Sequence, residues 1–144
     1  MALHLIKLCV GCDSVKDLED WIREKRKRAK KRSAREHIHT TRMVPKRAEE
    51  LLDGGSLYWV IRGQIMCRQR LIAIRPFVDK EGIGRCRLAM EPKVVLVEPR
   101  PFRAFQGWRY MEAAGAPRDL ERAAPGAATM PEQLRRELRE LGLL

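Results

Sequence analysis

The sequence predicts an α+β domain: a mostly antiparallel sheet or small barrel with flanking helices and a C-terminal amphipathic helix. Three observations lead there. Apolar residues change period along the chain, from strand-like runs to helix-like spacing and back. The strongest strand signals crowd into residues 56–99 with short links between them, which suits antiparallel pairing. The chain has 144 residues and is 44% apolar, enough to bury one ordinary core.

The elements follow in order. "LHLIKLCV" (3–10) has apolar residues at both parities, as in a strand buried on both faces. "GCDSVKDLEDWIREKRKRAKKR" reads as a helix, with Asp13 or Ser14 as cap and Ser14 with Asp17 approximating a capping box. Its apolar face (Val15, Leu18, Trp21 and Ile22) ends at Ile22. "REHIHTTRM" (35–43) suits a short strand, and Pro45 suits the first turn of a helix, "PKRAEELLD", closed by Gly54-Gly55. Residues 56–77 are the clearest strand signal, with Arg62-Gly63 as a hairpin tip or bulge. Residues 82–90 and 93–99 are two more strands joined by a tight Glu91-Pro92 turn, after a loop at Asp79 to Gly82. "RPFRAFQGWRY" (100–110) is an aromatic-rich loop or edge strand. The expected organisation is one domain over 1–111, an Ala/Pro/Gly linker over 112–128 and a helix over 129–144. In that helix Thr129 and Glu132 form a capping box, and Leu134, Leu138 and Leu141 form one stripe suited to a protein partner.

Charge gives the first functional lead. The formal net charge is +11. Most of the excess sits between Arg23 and Arg35, where nine residues are basic and one is acidic. Seven basic residues in the eight positions 25–32 circle a helix and define no single face. They suit a helix C-terminus, and such a run attracts phosphate without sequence preference. No stretch approaches the roughly 18 apolar residues of a membrane span. The N-terminus has no basic lead before its apolar run, so no signal peptide is expected, and the chain reads as cytoplasmic.

Three constellations follow. Arg68 and Arg70 share one strand face, as do Arg85 and Arg87. If those strands pair, the four form an arginine platform for phosphates, opposite Cys67, Leu71, Cys86 and Leu88. Arg62 stands at the hairpin tip beside it. "HIHTTRMVPKR" gathers Arg42, Lys46 and Arg47 at the start of a helix, where an anion is welcome. An alternative centre for a small enzyme is His39, Thr41 and Arg42, with His39 as acid or base. "FRAFQGWRY" interleaves aromatics with arginines, and Trp108 with Arg109 suits stacking on unpaired bases. Lys25, Arg26 and Arg28 supply general attraction. "CVGC" has the spacing of zinc and redox motifs, but Cys67 and Cys86 are nineteen apart. Ordinary reduced cysteines are expected, with no metal or cofactor. Phosphate-binding loops, dinucleotide fingerprints and nucleophile elbows are absent.

"LIKLCVGCDSV", "HTTRMVPKRAEELLDGGSLYWVIRGQIMCRQRLIAIRPF", "GIGRCRLAMEPKVV" and "AFQGWRY" together resemble a family of short alphaproteobacterial proteins, domain of unknown function 1489. That resemblance implies a bacterial cytosolic protein and carries no catalytic residues over. The order T-x-R, P-x-R, helix, Gly-Gly, "YWVIRG" also looks like the PUA and ASCH small barrels, which bind RNA. It would place a site between the "HTTRMVPKR" turn and the Tyr58–Arg70 strands. The expectation is therefore a non-enzymatic module that binds RNA or the ribosome.

Overall fold

The computed structural model describes residues 2–28, 36–103 and 105–120. The element order is β1 (Leu3–Leu8), α1 (Val15–Arg28), β2 (His37–Thr41), α2 (Ala48–Leu52), β3 (Ser56–Ile61), β4 (Gln64–Val78), β5 (Gly84–Met90), β6 (Val95–Pro101) and β7 (Trp108–Glu112). The seven strands form one mixed sheet along the path β2-β5-β4-β3-β1-β7, with β6 paired to β4. Five of the pairings are antiparallel; β1 and β3 run parallel. Among the described residues β2 and β7 end the path without pairing to each other, so the sheet is open and not a closed barrel.

Local chemistry explains the boundaries. At the start of α1 the Ser14 hydroxyl accepts the Asp17 N–H (3.2 Å), and the Asp17 carboxylate accepts the Asp13 N–H (2.9 Å). These reciprocal bonds satisfy amides that a helix start leaves unpaired. Val15, Leu18 and Ile22 are buried as expected, but Trp21 is 39% exposed. It stands at the margin of the apolar stripe with the Lys25 ammonium 4.2 Å from its ring centroid. The β3–β4 turn places Arg62 at φ 52° and Gly63 at φ 76°. Two successive left-handed residues match the right-handed twist of a hairpin, and Gly63 adopts that conformation at no steric cost.

β3 shows why "SLYWVI" does not alternate: all six residues are buried. One face meets the main core, built around Leu5, Leu18, Leu57, Trp59, Leu88 and Met90. The other meets a second cluster of Ile6, Tyr58, Val60, Ile65, Val97 and Met111. β4 is long because it serves two neighbourhoods. Its first half pairs β3 and β6, and its second half pairs β5. Irregularities at 65–67 and 71–73 reset its facing.

The segment expected as a linker is packed as far as it is described. Pro117 and Leu120 are buried, Asp119 bridges Val97, and the Glu98 N–H donates to the Arg118 carbonyl at 2.8 Å. The helix expected over 129–144 lies outside the described residues. Among the described residues no helix is long and apolar enough to cross a membrane.

Candidate nucleic-acid interface

The four arginines of the expected platform lie on two strands that pair, but not as direct cross-strand neighbours. Arg68 lies opposite Tyr58 and Val95, and Arg70 opposite Ser56. Arg87 lies opposite Arg75, and Arg85 opposite Phe77. All of these arginines alternate with main-core residues, so they share the face turned away from that core. Acids claim two of the expected four. Arg68 donates two bonds of 2.8 Å to Asp119, and Arg85 pairs with Asp79. Arg75, which alternation from Arg70 misses because the 71–73 bulge changes parity, pairs with Glu36 at 2.9 and 3.0 Å. Arg70 and Arg87 are exposed and have no ion pair among the described residues. The Arg87 guanidinium lies 3.9 Å from the Phe77 ring centroid, a supported planar cation.

The turn after β2 is exposed and pinned. Arg42, Met43, Val44 and Lys46 are exposed. The Trp108 indole N–H donates to the Met43 carbonyl at 2.9 Å, and the Arg47 N–H donates to the Tyr110 hydroxyl at 3.1 Å. β7 thus anchors the turn from below. This corrects the role expected of Trp108: it is 6% exposed and belongs to the core, so its ring has no free face for a base. Arg47 is taken by Glu50 and Glu112, whereas Arg42 and Lys46 have no acid partner among the described residues. Arg62, in the β3–β4 turn, stands 3.8 Å from Asp13, and Arg109 of β7 lies over Phe105 at 4.4 Å.

The last turn of α1 reaches the same strand. The Lys25 ammonium donates to the Ile38 carbonyl of β2 at 3.3 Å. Arg26 and Arg28 follow it as exposed residues. On the opposite face, Thr40 pairs with Arg87 of β5. The edge strand β2 is therefore flanked by Lys25–Arg28 on its inner side, Arg87 on its outer side and Arg42 with Lys46 at its end.

The proposed enzyme centre is not brought together. His39 and Thr41 point inward with the main-core residues of β5, while Arg42 faces solvent. Inside, Gln69 is fully buried. Its side-chain oxygen accepts from Trp59 Nε1 (2.8 Å) and lies 3.1 Å from His37 Nδ1, while its Nε2 donates to the Glu91 carbonyl (2.9 Å). An oxygen cannot donate, so His37 carries a proton on Nδ1. His39 stands edge-on to Trp59 at 5.3 Å. Burial holds both imidazoles down to about 4, aided for His39 by Lys7, His37 and Lys25 and for His37 by Lys25.

Among the described residues no cysteine is in a disulfide, and Cys9, Cys67 and Cys86 are buried. Burial pushes the Cys9 thiol far above its ordinary range, which opposes thiolate chemistry at "CVGC". Among the described residues no three His, Cys, Asp or Glu side chains gather into a group able to hold a metal ion.

The fold and this edge define an α+β protein with an open mixed sheet and a cation-lined terminal strand. The family described as protein of unknown function (DUF1489) matches residues 5–144, and the chain belongs to it. No curated protein and no solved structure matches the chain.

Proposed function

We propose that this protein is a non-enzymatic RNA-binding module whose contact surface runs along the β2 edge. The observation that carries the reading is the convergence on β2 of three basic groups far apart in sequence: Lys25–Arg28, the Arg42–Lys46 turn and Arg87. Charge spread evenly over a surface does not do this. A backbone follows such an edge through phosphate contacts, and the pinned turn fixes where it passes. Arg87, supported 3.9 Å over the Phe77 ring centroid, offers a guanidinium on which an unpaired base stacks. RNA is favoured over duplex DNA because stacking on Arg87 needs an unpaired base. Structured RNA or the ribosome is the proposed partner.

The test is binding of labelled RNA to the full chain and to an Arg42→Ala/Lys46→Ala variant at several salt concentrations. Two lost phosphate contacts lower the slope of log K against log salt by roughly 2 and weaken binding at low salt. An unchanged slope and affinity removes the turn from the interface and with it this reading.

A further inference from the structure

A pocket of about 340 Å³ opens on the face of the sheet away from the main core. It is separate from the β2 edge, being built from β1, β3, β4 and the segment 113–119 that crosses over them. Two ring side chains form its floor, His4 (8% exposed) and Tyr58 (4% exposed), with ring centroids 5.0 Å apart.

The hydrogen-bond pattern fixes what the pocket presents. The Ser56 N–H donates to His4 Nδ1 at 3.0 Å. His4 Nδ1 is thus the acceptor, and the proton of the neutral imidazole sits on Nε2. Neither that N–H nor the Tyr58 hydroxyl has a hydrogen-bond partner among the described residues. The Ser56 oxygen accepts from Arg68 Nη1 at 3.0 Å, which leaves its own hydrogen free to donate. Arg118 lines the rim and pairs at 3.3 Å with Glu98, an exposed contact. The one carboxylate in the wall, Asp119, is held by Arg68 through both oxygens at 2.8 Å, so it adds no uncompensated negative charge. The pocket therefore presents four donors (His4 Nε2–H, Tyr58 O–H, Ser56 O–H and the Arg118 guanidinium) beside one carboxylate, Asp119, that Arg68 already holds. Among the described residues the buried side-chain atoms without a partner are His37 Nε2 and His39 Nε2, so the His4 and Tyr58 donors open onto the pocket and take their acceptors from what enters it, which suits a ligand made of acceptors.

We infer that this pocket binds a phosphate group, on a small phosphorylated molecule or at the end of an RNA strand. A phosphate monoester has three terminal oxygens, which match converging donors better than the two of a carboxylate. The inference does not depend on RNA binding at the β2 edge.

Inorganic phosphate is the first probe, titrated to ~10 mM against the full chain by calorimetry and thermal melting. Wild type should bind it and melt higher. Tyr58→Phe keeps the ring in its cluster and removes one donor to a charged oxygen, so affinity should fall roughly 10-fold or more. Arg118→Ala, at an exposed residue, tests the rim without threatening the fold and should also weaken binding. Arg42→Ala/Lys46→Ala should leave phosphate binding unchanged, which separates this site from the β2 edge. A 5′-phosphorylated oligoribonucleotide bound more tightly than its 5′-hydroxyl twin identifies a strand end as the source; equal binding of the two, with phosphate still bound, identifies a small molecule. No phosphate binding by wild type, or equal binding by Tyr58→Phe and Arg118→Ala, overturns the inference.

Discussion

Acid should destabilise this protein through its buried histidines, His37 and His39 above all, before its carboxylates neutralise. His37 is 2% exposed, and His39 is half-buried against Trp59. Both are held neutral, titrating near 4 in the folded chain. The unfolded chain protonates them near 6.5, so protons favour unfolding. Their contribution is full above about pH 6.5 and is lost as the pH falls towards 4. Between pH 7.5 and pH 5 each histidine contributes about 2 kcal/mol of lost stability, so the pair removes about 4 kcal/mol. That is a large share of the roughly 5–15 kcal/mol that holds a domain together. Urea melts at pH 7.5, 6 and 5, at constant ionic strength, measure it. His39→Phe keeps an aromatic ring against Trp59 and should remove one histidine's share of the slope, leaving that of His37 and of His4, whose titration burial also lowers, whatever its starting stability. A stability that changes by less than ~1 kcal/mol over this range, or a His39→Phe slope equal to wild type, refutes the reasoning.

Other consequences are independent of pH. Gln69→Leu strands the Trp59 and His37 N–H groups and the Glu91 carbonyl, and should cost about 3 kcal/mol or more in urea melts. At Gly55 a side-chain carbon would collide with the backbone carbonyl oxygens of Leu3 and Leu51, so Gly55→Ala should cost about 1–3 kcal/mol. Trp108→Phe removes the bond to the Met43 carbonyl and frees the Arg42–Lys46 turn. It should weaken RNA binding more at low salt than at high salt, because the turn's cations are then held less well in place.

Much of the fold was legible because single residues dictated it. Ser14 with Asp17, Arg62-Gly63, Gly54-Gly55 and the unbroken apolar run of β3 each force a local outcome, and each stands where the sequence places it. The register of β4 was not legible. Its bulges follow from how β3, β5 and β6 share one long strand, and no residue in "IMCRQRLIAIR" announces them. For that reason the cross-strand neighbours of the four arginines, which do share one face, were not foreseen, and Arg75 was missed. Arg68 and Arg85 gave no sign of their partners, because Asp119 comes from a segment that reads as a linker and Asp79 from a loop. Trp108 was ambiguous in sequence, where a core aromatic and a stacking aromatic beside arginines look alike. The His4–Tyr58 pocket was invisible, since its roof is the same linker-like stretch.

The measurement closest to the central claim is binding of structured RNA, single-stranded RNA and duplex DNA across a salt series. Wild type is compared with a variant neutralised at the basic run 25–32. The β2-edge account expects that the variant keeps a measurable affinity with a shallower salt slope, and that both proteins prefer RNA to duplex DNA. Loss of all binding with the run, or equal affinity for the three ligands, would contradict it.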